Sequence, residues 1–599
     1  MPPKYTQTSV FVSIMLLHAC ASPLAIPVDT NTGAALPVNP SVTLGLAPET
    51  THEITPQINT VNELVHNNFD EYINLPHTER TAVQKALEHR EEELNILTPA
   101  NTLSWDSETG QNLHLEQSTS ARLSLNEAVF SSLENNLDIR IAVLQPQIAQ
   151  QATVSAEAVF DFVFGAGVSK KKSRIPQQQI IGPGGAPLNS DESSSDQLVT
   201  NASLIKQLYS GGTITLSTDI VKSESEATGF TYSPDPAWQT VGKLELNQPL
   251  LRNFGEPVTL AQVQLLKITK IQSDEDVRES LNLVVSLTEK AYFDLCLQWK
   301  TLQIKQWLLL QGEQVVEVLE LRRSYDTSEA DFAQAVATVQ QRTADVIQQQ
   351  AAVQTTSDTL KKLINSDLYP LDSEKIIQPV GELVATPISV SLRQAMVTAA
   401  TNRPDLRKLS LQIQSSDIDL EVSDNALLPK LDAQAQMSFY GLGDNAGDGY
   451  SEVFGGDYVN YLLGLSLQIP LGNRSAEANH QSARLKKMSA VTSYKRGLQQ
   501  ATIEVKTALR NIVTNAALIQ ANKSFRVAQT ENLRALLVEE ETMAGLTPTF
   551  LNLKLQTQAG LASARTAELR SIVDYNKAIS SLFKATGTSL DQRQISYDE

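Results

Sequence analysis

One piece of this chain occurs twice. Ser124-Leu125-Asn126-Glu127-Ala128 returns as Ser391-Leu392-Arg393-Gln394-Ala395, an offset of 391 − 124 = 267 residues. At the same offset Asn135, Asp138, Ile139 and Arg140 meet Asn402, Asp405, Leu406 and Arg407. A second correspondence runs at a shorter offset of 465 − 244 = 221, where Leu244-Glu245-Leu246-Asn247-Gln248-Pro249-Leu250 matches Leu465-Ser466-Leu467-Gln468-Ile469-Pro470-Leu471. The first half therefore holds 267 − 221 = 46 more residues between these marks. A repeat longer than about 200 residues is a duplicated domain rather than a solenoid unit. The two halves must share one plan.

Within each half the hydrophobic period changes in the same order. Helical spacing runs for about 35 residues from Leu125 or Leu392, period-2 text follows, and helical spacing resumes after Pro249 or Pro470 for about 70 residues. In the long stretches Leu281, Val284, Ala291, Leu295 and Leu302 recur at coiled-coil steps, as do Ala501, Val505, Ala508, Ile512, Ala516 and Ile519. About 70 residues at 1.5 Å each predict helices of roughly 100 Å, longer than a globular domain needs. Each half closes with a further helix, Phe332 to Leu363 and Phe550 to Ala585, so two short helices can stack end to end beside one long one. Phe162, Phe164, Ala166 and Val168 alternate with other residues, as do Leu463, Leu465, Leu467 and Ile469, which suits strands of about 10 residues with one apolar face. Gly/Ser/Asp-rich loops, Gly182 to Asp196 and Gly441 to Asp457, lie between strands. Two strands per half make four, too few to close a membrane barrel, which takes about eight. The barrel must be shared between copies. A soluble sheet with one buried face is the competing reading of the same pattern.

Composition removes other classes. The 599 residues carry 48 Lys and Arg against 67 Asp and Glu, a formal charge of −19 with no basic run, which argues against a nucleic-acid partner. No apolar run of about 18 residues is present to form a membrane-spanning helix. Cys20 and Cys296 belong to no zinc-ligand pattern, and His480 alone of seven histidines lies beyond residue 114. GxxxxGK[ST], GxSxG and HExxH are all absent, so no enzyme activity, metal or cofactor is expected.

The N-terminus reads as an export signal, residues 1–19, in which Lys4 precedes an apolar stretch from Val10 to Leu17. Leu17-His18-Ala19-Cys20 suits the bacterial lipobox, although His18 departs from its usual small residue. Acylated Cys20 would anchor the chain in outer-membrane lipid. Residues 20–120 follow as a proline-punctuated tether with a possible short helix between Val61 and Leu97, and His66, His77, His89 and His114 read as solvated surface.

These marks resemble the TolC-type outer-membrane efflux protein family, the outer membrane factors. The resemblance covers about residues 122 to 588 and rests on the duplicated helix opening and on the two strand ends. The latter are Gln248-Pro249-Leu250-Leu251-Arg252-Asn253-Phe254-Gly255 and Ile469-Pro470-Leu471-Gly472-Asn473, with Pro249, Gly255, Pro470 and Gly472 at strand-to-helix junctions. Tyr575-Asn576-Lys577-Ala578 to Gly587 closes it. The resemblance implies an α+β, internally duplicated chain whose coiled-coil helices form a trimeric α-barrel below a shared transmembrane β-barrel, with four or more strands per chain. Residues 121–390 and 391–588 are then the two repeats and 589–599 a tail. It implies a homotrimer in the outer membrane with a long periplasmic extension. Its partners would be a periplasmic adaptor and an inner-membrane pump of the RND or ABC type. The first half departs from that plan: Asn201 to Leu208 and Thr213 to Val221, around Ser210-Gly211-Gly212, form an additional hairpin that either joins the barrel or projects from it.

In the family the helix-hairpin tips form a constricted periplasmic entrance. Here they read Arg322 to Asp331, with Tyr325 and Ser328 in the turn, and Glu539 to Leu546, with Gly545 in the turn. The family's acidic positions after the second turn are occupied by Leu551 and Lys554. Three-fold repetition of Asp326, Glu329, Asp331, Glu539, Glu540 and Glu541 would ring an opening with negative charge and favour cations. The function implied is passive conduction of substrates from a pump to the exterior. The alternative is a non-conducting coiled-coil lipoprotein acting as an envelope scaffold or adhesin.

Overall fold

A computed structural model describes residues 120–599 apart from 177, 180, 186–191, 227–232, 326, 374, 382, 543–546, 594 and 596–599. All of these belong to one compact unit, residues 68–599, of the two into which the chain divides. The signal segment, Cys20, the tether and its histidines, Asp326 and Gly545 lie outside the described residues.

The duplication sets the order of elements. A short strand β1 (Ser120–Ser124) leads into α1 (Leu125–Asn135) and α2 (Leu137–Glu157), and the second half repeats the pair as α5 (Leu392–Asn402) and α6 (Pro404–Ala426). Both breaks sit at the same repeat position, Asn136 and Arg403. Asn136 adopts an extended backbone and accepts the amides of Asp138 and Ile139, which caps α2. Arg403 is extended too, with Pro404 at the first position of α6, where a missing N–H does no harm.

Long antiparallel hairpins follow each half's strands. The first pairs α3 (Ala261–Arg322, 62 residues) with α4 (Glu329–Ile364), and the second pairs α8 (Arg474–Thr542, 69 residues) with α9 (Pro548–Thr586). At 1.5 Å per residue the two long helices span about 90 and 100 Å. End-to-end stacking is held by hydrogen bonds: Asn136 Nδ2 donates to the Leu363 carbonyl at the end of α4 (2.9 Å), and Arg403 donates to the Ala585 carbonyl at the end of α9 (3.1 Å). Each short-helix column thereby runs beside one long helix.

The waist of the helical region is locked by two strands that show no period in the sequence. β1 pairs in parallel with β6 (Ile376–Val380), Ser120 opposite Ile376 and Ser124 opposite Val380. Trp299, fully buried on α3, donates its indole N–H to the Ile377 carbonyl (2.9 Å), and Tyr292 donates to Leu123 and Val380 carbonyls. Around them Leu295, Cys296, Leu302, Leu360 and Ile364 form the largest apolar cluster. The described part of residues 589–599 is not loose, because Arg593 pairs with Glu289 (2.6 Å) and donates to Asn126.

The remaining strands form one antiparallel sheet, in the order β2 (Phe162–Pro176), β3 (Glu192–Gln207), β4 (Thr213–Glu226), β5 (Ala237–Pro249), β7 (Lys430–Gly443) and β8 (Val459–Gln468). That is six strands, where counting two per half gives four: the additional hairpin lies inside the sheet, between β2 and β5. The loop text from Gly441 to Asp457 also contains a helix, α7 (Ala446–Gly455), started by Asn445 accepting the Asp448 amide (3.1 Å). Among the described residues no helix is long and apolar enough to cross a membrane.

Register sets an apolar row of the sheet against a polar row on the opposite face. The row Phe164–Leu204–Leu216–Leu244–Met437–Tyr461 crosses all six strands, and the next row, on the opposite face, reads Gly165–Ser203–Ser217–Lys243–Ser438–Asn460. The apolar face is uncovered over most of its length: Phe164, Leu463 and Leu465 are 71%, 86% and 74% exposed.

Candidate tunnel mouth and strand-to-helix junctions

The residues singled out by the sequence gather in two regions: the tips of the helical hairpins and the junctions where strands become long helices. At the tips the two hairpins meet through a small apolar cluster of Val315, Leu319, Ala335, Leu551 and Leu555. Leu551 is therefore core, which accounts for a leucine where the resembling family has an acid. Asn552 Nδ2 also reaches Asp331 Oδ1 across the hairpins (3.5 Å).

Of the acids expected to ring an opening, Glu329, Asp331 and Glu540 take these side-chain partners. Glu329 takes three hydrogen bonds from the Arg323 guanidinium (2.8–3.0 Å), which also lies 4.9 Å from the Phe332 ring. Ser328 caps α4 by accepting the Asp331 amide, and its hydroxyl donates to the Asp331 carboxylate (2.6 Å). Glu540 pairs with Lys554 at 2.6 Å, both half-buried. Glu539 and Glu541 stay exposed on the last turn of α8, and Tyr325 stands 88% exposed in the first turn. Sequence reasoning missed Arg323 and Lys554 as counter-charges. The spacing Arg323 to Glu329 spans the turn and shows no helical i,i+4 signal, and Glu540 to Lys554 closes only after the hairpin folds.

Further up α4, Arg342 is buried and donates to the carbonyls of Leu308 (2.7 Å) and Leu555 (2.9 Å), tying α3, α4 and α9 together. Burial lowers its pKa to about 10. Gly312 leaves it room, since a Cβ there would lie 2.8 Å from the guanidinium.

The repeat-related break at Arg403 is more strongly charged. Its guanidinium forks onto Asp405 (2.7 and 2.9 Å) and reaches Glu504 on α8 (2.6 Å). Burial pushes against charge on both partners, yet the Arg403 pKa is raised and that of Asp405 lowered, because each stabilises the other's charged form. Lys408 on α6 bonds Asp276 and Glu279 of α3, both at 2.6 Å, so the two halves are held by charge at this level.

At the junctions the chain turns with residues that tolerate positive φ. Asn253 and Gly255 (φ 67° and 100°) follow Pro249, and Gly472 and Asn473 (φ 88° and 28°) follow Pro470. Pro249 is buried at the end of β5, whereas Leu471 is 99% exposed. The β3–β4 turn is fastened here: Ser210 accepts the Gly255 amide (3.1 Å), and Gln248 Nε2 donates back to the Ser210 carbonyl (3.2 Å). Gly211, at φ 90°, sits so close that a Cβ would lie 2.2 Å from the Asn253 carbonyl oxygen. Among the described residues no group of His, Cys, Asp and Glu is arranged to hold a metal ion.

No family model matches the chain, and no curated protein sequence does. Solved structures do. The CmeC outer membrane channel of Campylobacter jejuni is similar at TM-score 0.56 and 15% identity, over 81% of this chain and 92% of that one. CusC gives 0.54 and 17%, over 79% and 95%, and the open-state MtrE outer membrane channel of Neisseria gonorrhoeae gives 0.52 and 18%, over 78% and 89%. A duplicated helix–sheet–helix chain with hairpins of this length and likeness of this extent leads to one conclusion: the protein has the fold of the TolC-type outer-membrane efflux channels.

Proposed function

We propose that the protein is the outer-membrane duct of a multicomponent export system. Three copies share a β-barrel in the outer membrane, and their hairpins extend into the periplasm as a tunnel. Substrates enter from an inner-membrane pump of the RND or ABC type, joined to the tunnel by a periplasmic adaptor. No chemistry is performed on them. Residues 121–390 and 391–588 act as the two repeats, and Cys20 carries the lipid anchor after removal of residues 1–19.

The observation that carries this reading is the sheet, in which the apolar row from Phe164 to Tyr461 crosses all six strands, the adjoining row from Gly165 to Asn460 on the other face is polar, and the described strands do not close on themselves. An apolar face left bare in water is an aggregation liability, whereas in a bilayer it faces lipid while the polar face lines a wetted lumen. Open strand edges are not tolerated in hydrocarbon, so the sheet must close with other copies. The hairpin tips, with exposed Glu539 and Glu541, then form the periplasmic mouth.

Current across a planar bilayer containing the detergent-purified oligomer, measured in a salt gradient, tests the proposal. Discrete cation-selective steps that shift toward anions on Glu539→Gln/Glu541→Gln support it. Silence from inserted oligomer, persisting when the tip pair Arg323–Glu329 is broken by Arg323→Gln, favours the scaffold.

A further inference from the structure

We propose that the membrane pore is closed by eighteen strands, six from each of three copies, with β8 of one copy pairing to β2 of the next, giving a backbone ring about half as wide again as twelve strands would. The inference rests on the trimeric duct proposed above and specifies its barrel.

The two strands beyond the expected four are not an appendage. β3 and β4 are hydrogen-bonded on both sides, β3 to β2 and β4, and β4 to β3 and β5. They have 16 and 14 residues, more than the 9–11 that cross a bilayer. Leu204 and Leu216 continue the apolar row and Ser203 and Ser217 the polar one, so the hairpin obeys the same two-faced pattern as its neighbours. Its inner turn is bonded to the β5 junction through Ser210, Gln248 and Gly255, which prevents it from swinging out.

The edges point to a second copy of the chain as the occupant. β2 and β8 end the sheet, with Phe162, Phe164 and Val168 on one and Tyr461, Leu463 and Leu465 on the other all at least 66% exposed. Six antiparallel strands alternate in direction, so β2 leaves the helical end as β8 returns to it. A β8-to-β2 contact between copies is then antiparallel like every other pair in the sheet. Six strands alone fall short of the roughly eight needed to close. Strands about 4.8 Å apart and tilted by about 40° give a backbone diameter of roughly 36 Å for eighteen and roughly 24 Å for twelve. The helical columns per copy are unchanged at four, so the duct widens toward the exterior, and selection by size falls to the helical end. Solutes that pass the mouth meet a lumen lined by Ser203, Ser217, Lys243 and Asn460.

Single-particle imaging of the detergent-purified full chain counts the strands directly. Eighteen in a three-fold ring is the expected result. A three-fold ring of twelve, with β3 and β4 folded off it, overturns the inference and leaves the duct reading standing. A two-fold ring of twelve, or no ring, overturns both. A second measurement uses polyethylene glycols of graded size added at the outer face of bilayer-inserted channels, for the full chain and for a variant lacking residues 192–226, which joins β2 to β5. The radius of the largest polymer that still changes the current is expected to be at least about 1.5-fold greater in the full chain. Equal cut-offs overturn the inference. Should the variant not assemble, the full chain decides alone: lining side chains take roughly 10 Å from each backbone diameter, so a polymer about 20 Å across enters eighteen strands and is excluded by twelve.

Discussion

Adjacent leucines on β8 offer a stringent test of which face meets lipid. Leu463 belongs to the apolar face, opposite Ala435, and is 86% exposed; Leu462 belongs to the polar face, opposite Gln436, and is 45% exposed. Both lie near the middle of a 10-residue strand. An arginine on the lipid face near the midplane costs about 2–4 kcal/mol, and the lost leucine contact adds roughly 2 kcal/mol. Leu463→Arg is therefore expected to destabilise the barrel by about 4–6 kcal/mol per copy, a factor of roughly 10³–10⁴. Leu462→Arg places the same guanidinium in a wetted lumen, in the row that contains Glu245 and Gln436, and should change stability by less than about 1 kcal/mol. Folding of urea-denatured chains into vesicles, read as the heat-resistant oligomer, gives both values. Equal losses, or a larger loss for Leu462→Arg, would refute the assignment of faces.

The Arg403 cluster predicts both a mutational and a pH effect. Arg403→Met removes its bonds to Asp405, Glu504 and the Ala585 carbonyl, and should lower stability by about 2–4 kcal/mol in detergent melts, the partial exposure of both carboxylates keeping the figure below that for a fully buried pair. Because the Asp405 pKa is depressed in the folded chain, its contribution is present above the unfolded value of about 4 and is lost as pH falls through the folded value. Asp405→Asn should flatten that acid limb. Gly211→Ala combines φ 90° with a 2.2 Å clash and should cost well over 2 kcal/mol in assembled oligomer, whereas Gly185→Ala, at φ 78° in open space, should cost about 1 kcal/mol. Lys554→Gln releases Glu540 from its 2.6 Å partner, and the reversal potential in a salt gradient should move toward greater cation preference.

The helix plan was legible because duplication supplied its own control. Leu125 and Leu392, Asn136 and Arg403, and the starts of α2 and α6 share the offset of 267, so each break in one half supports its counterpart. The apolar alternation of β2 and β8 was equally plain. Long-range pairing was not. Nothing within Asn201 to Val221 states that its hairpin lies between β2 and β5, since that depends on a ladder to residues on either side of it. β1 and β6 are five residues each and pair across some 250 positions, leaving no local period to read. At the tips the acids were visible, and their partners were not, because Arg323 and Lys554 become counter-ions only when a turn closes.

The helix α7 carries an evolutionary consequence. It rests on the apolar face of the sheet, where Gly242 meets Val453 and Tyr450 bonds Thr218 (2.9 Å). A Cβ on Gly441 would lie 2.0 Å from the Gly449 carbonyl oxygen, and one on Gly449 would lie 2.6 Å from the Thr240 hydroxyl. Neither glycine can take a side chain while α7 stays seated, because Gly441 faces the backbone of the helix and Gly449 faces Thr240 on β5. Either substitution lifts the helix, after which the other glycine is no longer needed. Homologues should therefore divide into those that keep both glycines and the helix, and those that have lost all three, with few intermediates.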